Sequence, residues 1–399
     1  MAELDRRQAL RLLAALGVAG AGASACGDST LSADPVVGTG GGSMKVGLLV
    51  PAAGGRKAIG DDIVRGFGVY LGLNGRQLGG VTVTLEVAPE GETAQSAVAG
   101  LTTLLNREVA AVVGVAGARA MLAIRETVRT AKVPVLGTNA SPAGLAGDEV
   151  YLWRTAGADR DPGIALAPHV RQAVTGRVLL VAPTPTDGGD ALTGFRDAFG
   201  RTDPRLIRQP LWAGENTNPR PGYYQPAVEA IRRARPAAIF CAFAGAAAVG
   251  FLRDYRAAGV PAAVYGTGSL TEGPVLAELR EEARGIVTAM NYSPGLPGGA
   301  NRVFSSAYRQ QYGGSPSAYA MASYDAAQVL DRAIRLAGGS TSAQQINLEL
   351  GRVGQVDSPR GSWQFNQART PQQRWYLREV RRDGRVLANV VIRELDTLG

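Results

Sequence analysis

Gly114-Val115-Ala116-Gly117 closes an apolar run and opens onto Ala118-Arg119, and this segment is well suited to hold an anion. A strand that turns straight into a helix presents free N–H groups and the positive end of the helix dipole, both of which favour a carboxylate. Ser141 follows the next apolar run, Val133-Pro134-Val135-Leu136, with Asn139 and Ala140 beside it, and its hydroxyl is placed to donate to the same group. The same residues also suit plainer roles: Gly117 a tight strand-to-helix turn, Ser141 an ordinary loop hydroxyl. Groups for catalysis are scarce. His169 is the single histidine, and Cys26 and Cys241 are the two cysteines. Common zinc sites, Ser-His-Asp hydrolysis and Cys-His proteolysis all need more partners than these. There is no P-loop and no G-x-S-x-G elbow. The chain is therefore expected not to be an enzyme, and no cofactor is implied.

A second chemistry is acylation. Arg6, Arg7 and Arg11 precede the apolar stretch Leu12–Ala25, which ends Ala23-Ser24-Ala25-Cys26. A basic flank, a short apolar stretch and small residues form the pattern of an export signal. Its 14 residues are fewer than the roughly 20 a bilayer-spanning helix needs. Ending on cysteine, the segment resembles a bacterial lipobox. Residues 1–25 are then a lipoprotein signal and Cys26 an acylated, membrane-held N-terminus on the periplasmic or extracellular side. Arg6-Arg7 also fits a twin-arginine signal, so the export route stays open. Residues 26–43 are a Gly/Ser-rich tether with a reach of roughly 20–25 Å.

About 355 residues follow Ser43, enough for two domains. The net charge of +8 comes from dispersed arginines, often beside acids as in Arg280-Glu281-Glu282. With no basic run interleaved with aromatics, no nucleic-acid partner is expected.

From Met44 the elements alternate. Lys45–Val50, Val81–Val87, Ala110–Val115 and Val133–Leu136 read as strands, and the segments between them place apolar residues at helical spacing, with one helix over 118–131. The alternation restarts at Val178-Leu179-Leu180-Val181 and continues through a strand near Leu206–Leu211, Ile239–Phe243 and Ala263–Tyr265. Helices are then expected near 301–313, 318–337 and 342–353, followed by a hairpin from Trp375 to Ile392 that turns at Gly384. Near-continuous apolar strands alternating with helices imply an α/β fold with parallel sheets covered on both faces.

With these elements in place, the chain resembles the type I periplasmic binding proteins, specifically the branched-chain amino-acid group serving ABC importers. Pro51-Ala52-Ala53-Gly54, Val112–Gly117, Pro134–Pro142, Leu252–Gly259, Tyr319-Ala320 with Ser323–Ala326, and Asp357–Gly361 carry the resemblance in order and spacing. It implies two Rossmann-like lobes joined by a three-strand hinge, with crossovers near Arg154–Ala158, Met290–Ser293 and Gln373–Trp375. Lobe one is then 44–156 plus 291–374, and lobe two 157–290 plus 375–399. A small ligand (amino acid, organic carboxylate or amide) would be trapped between the lobes and passed to permease and ATPase subunits by a monomer.

In that family the loops of Gly117 and Ser141 hold the ligand's carboxylate. Several positions here depart from its pattern. Ala118 stands where a serine is usual, Ile59 and Ala244 where aromatics are usual, and Asp187 where a tyrosine or another polar group is usual. Gly268 replaces the acid that pairs with a ligand ammonium, which leaves Asp187 or Glu272 as substitutes. Arg56, Lys57 and Arg119 are the nearby cations. The resemblance thus implies an enlarged, less aromatic pocket, less committed to an amino acid. An envelope regulator or scaffold on the same fold, like the lipoproteins that activate penicillin-binding proteins, is the alternative.

Overall fold

A computed structural model describes residues 42–145 and 149–399. The signal, Cys26 and nearly all of the tether lie outside the described residues.

Val46, Leu48, Leu49 and Val50 are all at most 2% exposed in β1 (Ser43–Val50), so both faces of this strand are covered. Around it form β2 (Gln77–Leu78), β3 (Val81–Pro89), β4 (Ala111–Gly114), β5 (Val135–Gly137) and β6 (Leu152–Arg154), in the sheet order β2-β3-β1-β4-β5-β6. All these pairings are parallel except that of β2 with β3. The intervening helices are α1 (Lys57–Leu73), α2 (Ala94–Asn106), α3 (Ala118–Ala123) and α4 (Arg125–Ala131). Thr93 and Ser96 start α2 with a reciprocal capping box. The helix expected over 118–131 is thus two short ones, divided at Ile124, and the Arg125 Nε–H bonds the Leu122 carbonyl at that break.

The second sheet contains β7 (Val178–Ala182), β8 (Leu211–Trp212), β9 (Ala238–Cys241), β10 (Ala263–Thr267), β11 (Val287–Met290), β12 (Gln364–Phe365), β13 (Pro371–Asp383) and β14 (Val386–Leu398). Its order is β12-β13-β11-β10-β9-β7-β8, with β14 on β13. The centre is parallel, whereas β13 runs antiparallel to β11, β12 and β14, so both sheets are mixed. The helices here are α5 (Asp161–Ala173), α6 (Gly189–Phe199), α7 (Gln225–Ala234), α8 (Gly245–Ala257) and α9 (Pro274–Leu279). Successive residues face opposite sides of a strand, and the cores obey this. Val178 and Leu180 join one cluster with Phe195 and Phe240, while Leu179 and Val181 join another with Ile239 and Cys241. Burial raises the Cys241 thiol pKa, which leaves it an inert core residue.

After β11 the chain returns to the first sheet as α10 (Gly299–Tyr312), α11 (Ala318–Leu336) and α12 (Ala343–Leu350). Leu330 and Ile334 of α11 share a core with Val46, Ile63 and Phe67. The C-terminal hairpin turns at Gly384 (φ +61), as expected, but runs longer than expected on both sides. Three connections pass between the sheets and sit together. Asn291 Nδ2–H donates to Gln373 Oε1 (2.8 Å), and a Cβ on Gly157 would lie 2.5 Å from Gln373 Nε2. Among the described residues no helix is long and apolar enough to cross a membrane.

Candidate functional site

A cavity of about 250 Å³ opens where the strands of both sheets end. The loops after β1, β4, β5, β7, β9 and β10 all reach it, which is where open α/β sheets place ligands. The two halves touch around it. The Arg119 Nη2 lies 2.7 Å from Glu215 Oε2 and 3.8 Å from Asp187 Oδ2. The Thr217 hydroxyl donates to Glu92 (2.9 Å), and the Ala143 N–H to Asp190 (2.7 Å). Gly55 comes so near the Thr217 carbonyl that an added Cβ would lie 1.6 Å from its oxygen.

The cavity collects most of the residues expected from sequence. Ile59, Gly117 and Ala118 line it from the first half together with Asn139 and Ala140. Asp187, Ala244 and Gly268 line it from the second. Arg119 and Ser141 do not. Arg119 is held by Glu215 and Asp187, which keep its guanidinium pKa above the ordinary value. Ser141 is 3% exposed; its N–H donates to Asp159 Oδ1 (2.9 Å) and its carbonyl accepts the Asp159 N–H (3.0 Å). Ser141 thus positions another residue.

Three further expectations need correction. The loop donors are already engaged: the N–H groups of Ala116 and Gly117 bond Glu90 Oε2 (2.6 Å) and Oε1 (2.9 Å). Glu90 is 1% exposed, so the protein's own carboxylate fills part of the expected anion cradle. The pocket is not short of aromatics, because Phe243, Tyr319 and Trp375 line it from positions other than Ile59 and Ala244. The Tyr319 hydroxyl and Trp375 Nε1 are buried without a hydrogen-bond partner among the described residues. Glu272 is unavailable to a ligand, since its Oε2 lies 2.8 Å from Arg378 and its Oε1 accepts the Ala318 N–H.

Asp159 was missed. It sits just past the expected first crossover, and that crossover was the only sequence signal for it. It lines the cavity. Burial pushes its pKa up to about 7; the Ser141 N–H works against this, while Asp190, Asp161 and Asp187 add to it. Burial likewise raises Glu90 to about 7 and Asp161 to about 6. Groups raised on folding stabilise the fold below the ordinary carboxylate range, and this contribution is lost as pH rises through their folded values. Melting temperature of the unliganded protein should therefore fall between pH 5 and 8. Asp159→Asn should flatten part of that fall in a melting series across this range, whereas an unchanged slope would mean that Asp159 does not titrate there.

His169 lies off the cavity, with its Nδ1 3.5 Å from Arg393 and its ring edge-on to Tyr265. Among the described residues no cluster of His, Cys, Asp and Glu is arranged to hold a metal.

The sequence profile of the periplasmic binding proteins matches residues 43–385. The chain belongs to that family. The relatives it resembles include binding proteins of branched-chain amino acids and of ABC transporters. It is 24% identical over 349 residues to Leu/Ile/Val-binding protein homolog 6 of Brucella melitensis, covering 84% of this chain and 87% of the relative. It is also similar to a solute-binding protein of an R. palustris ABC transporter, solved in complex with benzoate. There the TM-score is 0.80 with 25% identity over 89% of this chain and 97% of the other. The branched-chain amino acid transporter substrate-binding protein LivJ of Streptococcus pneumoniae, solved with isoleucine, superposes with a TM-score of 0.77. It is 18% identical, and the match covers 88% of this chain and 98% of that one. The periplasmic binding protein described here thus shares its α/β fold with receptors of both ligand kinds.

Proposed function

We propose that this protein is an exported receptor that captures a small organic carboxylate, either aromatic or amino-acid-like, and delivers it to an ABC importer. The cavity between the two sheets carries this reading. Among the described residues it combines one arginine, two acids that make no salt bridge (Asp159 and Asp190) and two unpartnered aromatic donors. Asp159 offers an ammonium the partner that Gly268 lacks, and Phe243, Tyr319 and Trp375 offer a ring its faces. The relatives solved with benzoate and with isoleucine support either ligand form.

In this reading 44–156 plus 291–374 and 157–290 plus 375–399 act as lobes that open and close about the three connections. Capture requires no chemical step, so the protein is not an enzyme. Acylation at Cys26 would hold it within a tether's length of the membrane, beside the permease and ATPase subunits.

A thermal-shift screen of the purified chain against isoleucine, leucine, benzoate, 4-hydroxybenzoate and benzamide tests this. Ligand at a hundredfold excess over Kd adds about 2.7 kcal/mol of stability, enough for a clear rise in melting temperature. If all five leave the transition unmoved, the receptor reading fails and the envelope-regulator alternative takes its place.

A further inference from the structure

In the cavity, the two amide donors best placed for an anion are taken by Glu90. An incoming carboxylate therefore needs another receptor. Arg56 is the one basic residue lining the cavity among the described residues. It ends the 3-10 turn Gly54–Arg56 and immediately precedes α1. A Cβ added to Gly117 would lie 2.6 Å from Arg56 Nη1 and 2.9 Å from Glu90 Oε1, so the guanidinium stands directly against the occupied amide loop. The salt bridges at the cavity are made by Arg119, not by Arg56. No carboxylate lies within 4 Å of the Arg56 guanidinium among the described residues. Nor does its position help the helix, because a cation at a helix N-terminus opposes the dipole. Its charge is felt by the neighbouring Glu90, whose pKa it lowers, but the two form no direct salt bridge. The fold thus holds a guanidinium with free N–H donors at the mouth of an occupied anion cradle, in a position where it does not stabilise the helix.

We infer that Arg56 is the receptor for the ligand's carboxylate, standing in for the loop amides that Glu90 has filled. This rests on the carboxylate reading above and adds a specificity to it. A guanidinium presents two parallel N–H donors that match a carboxylate, and a neutral isostere of the ligand loses that match. The acids on the other loops, Asp159 and Asp190, then favour a ligand that keeps its negative charge confined to the Arg56 end.

Isothermal titration of the full chain with benzoate, isoleucine and the neutral analogue benzamide tests the assignment in wild type, Arg56→Gln and Arg56→Lys. Arg56→Gln should weaken whichever carboxylate the wild type binds by about 10- to 150-fold, the range for a hydrogen bond to a charged group. Arg56→Lys should fall between wild type and Arg56→Gln, and benzamide affinity should stay within about threefold. Arg56 is only half-buried, and equal melting temperatures of the three proteins will show that folding is intact. Carboxylate affinity that is unchanged in Arg56→Gln, or that falls in parallel with benzamide affinity, overturns the inference and leaves the receptor reading standing. A wild type that binds benzamide but neither carboxylate overturns the inference and the carboxylate reading with it, leaving a receptor for a neutral ligand. A wild type that binds none of the three, nor leucine or 4-hydroxybenzoate, overturns both.

Discussion

Replacing Gly55 with alanine is expected to lower ligand affinity at least about 100-fold while leaving the melting temperature of the unliganded protein nearly unchanged. The Cβ would lie 1.6 Å from the Thr217 carbonyl oxygen and 2.8 Å from the Ala246 Cβ. The first of these neighbours is backbone and cannot swing aside as a side chain can. The contact joins the loop after β1 to the loop after β8, so separating the two halves relieves it without disturbing either core. The substitution therefore acts on closure, and the apparent affinity falls with the fraction of molecules able to close. Gly245 makes the same approach from the other side, its φ at +55 and its added Cβ 2.7 Å from the Gly55 carbonyl. Titration gives the affinity, and small-angle scattering should show a larger radius of gyration for the variant in the presence of ligand. An unchanged Kd would mean that ligand capture does not require this contact.

Replacing Glu272 with alanine is expected to cost about 3–5 kcal/mol of stability, the range for removing one member of a buried ion pair. Arg378 has no exposed surface, Glu272 is 3% exposed, and their nearest atoms are 2.8 Å apart. Without the acid, the guanidinium keeps only its bonds to the carbonyls of Tyr292 and Gly268. Its charge would then be buried with nothing of opposite sign beside it. The double variant Glu272→Leu/Arg378→Met should regain most of the loss, because apolar residues remove the desolvation cost altogether. Urea unfolding measures both. A loss below about 1 kcal/mol for the single variant, the value of an exposed pair, would show that water reaches Arg378.

The Glu272–Arg378 pair joins residues far apart in the chain, and neither side chain sits in a recognisable motif. Strands β1, β4, β7 and β9 were legible because a strand covered on both faces must be apolar at nearly every position, a pattern few loops share. The two-residue β8 was not, since Leu206 bridges Val178 on its own and the strand proper begins only at Leu211. In the cavity, Gly117, Asn139 and Ala140 were legible because they directly follow strands. The occupation of their loop by Glu90 was hidden, because the bonds span 26 and 27 residues and depend on where β3 ends relative to β4. Tyr319 and Trp375 escaped for a similar reason. They reach the cavity from the segments that return to the first sheet and cross back to the second, and nothing local marks their direction.

β13 gives this architecture an order of assembly. It begins by pairing with β12, continues along β11 and carries Arg378 to Glu272, all from residues 371–383. Until those residues are in place, β11 remains an unpaired edge and Glu272 an unmatched acid. The second half is therefore the last part able to reach its final form, and a chain truncated before Pro371 would present β11 to whatever strand it met first.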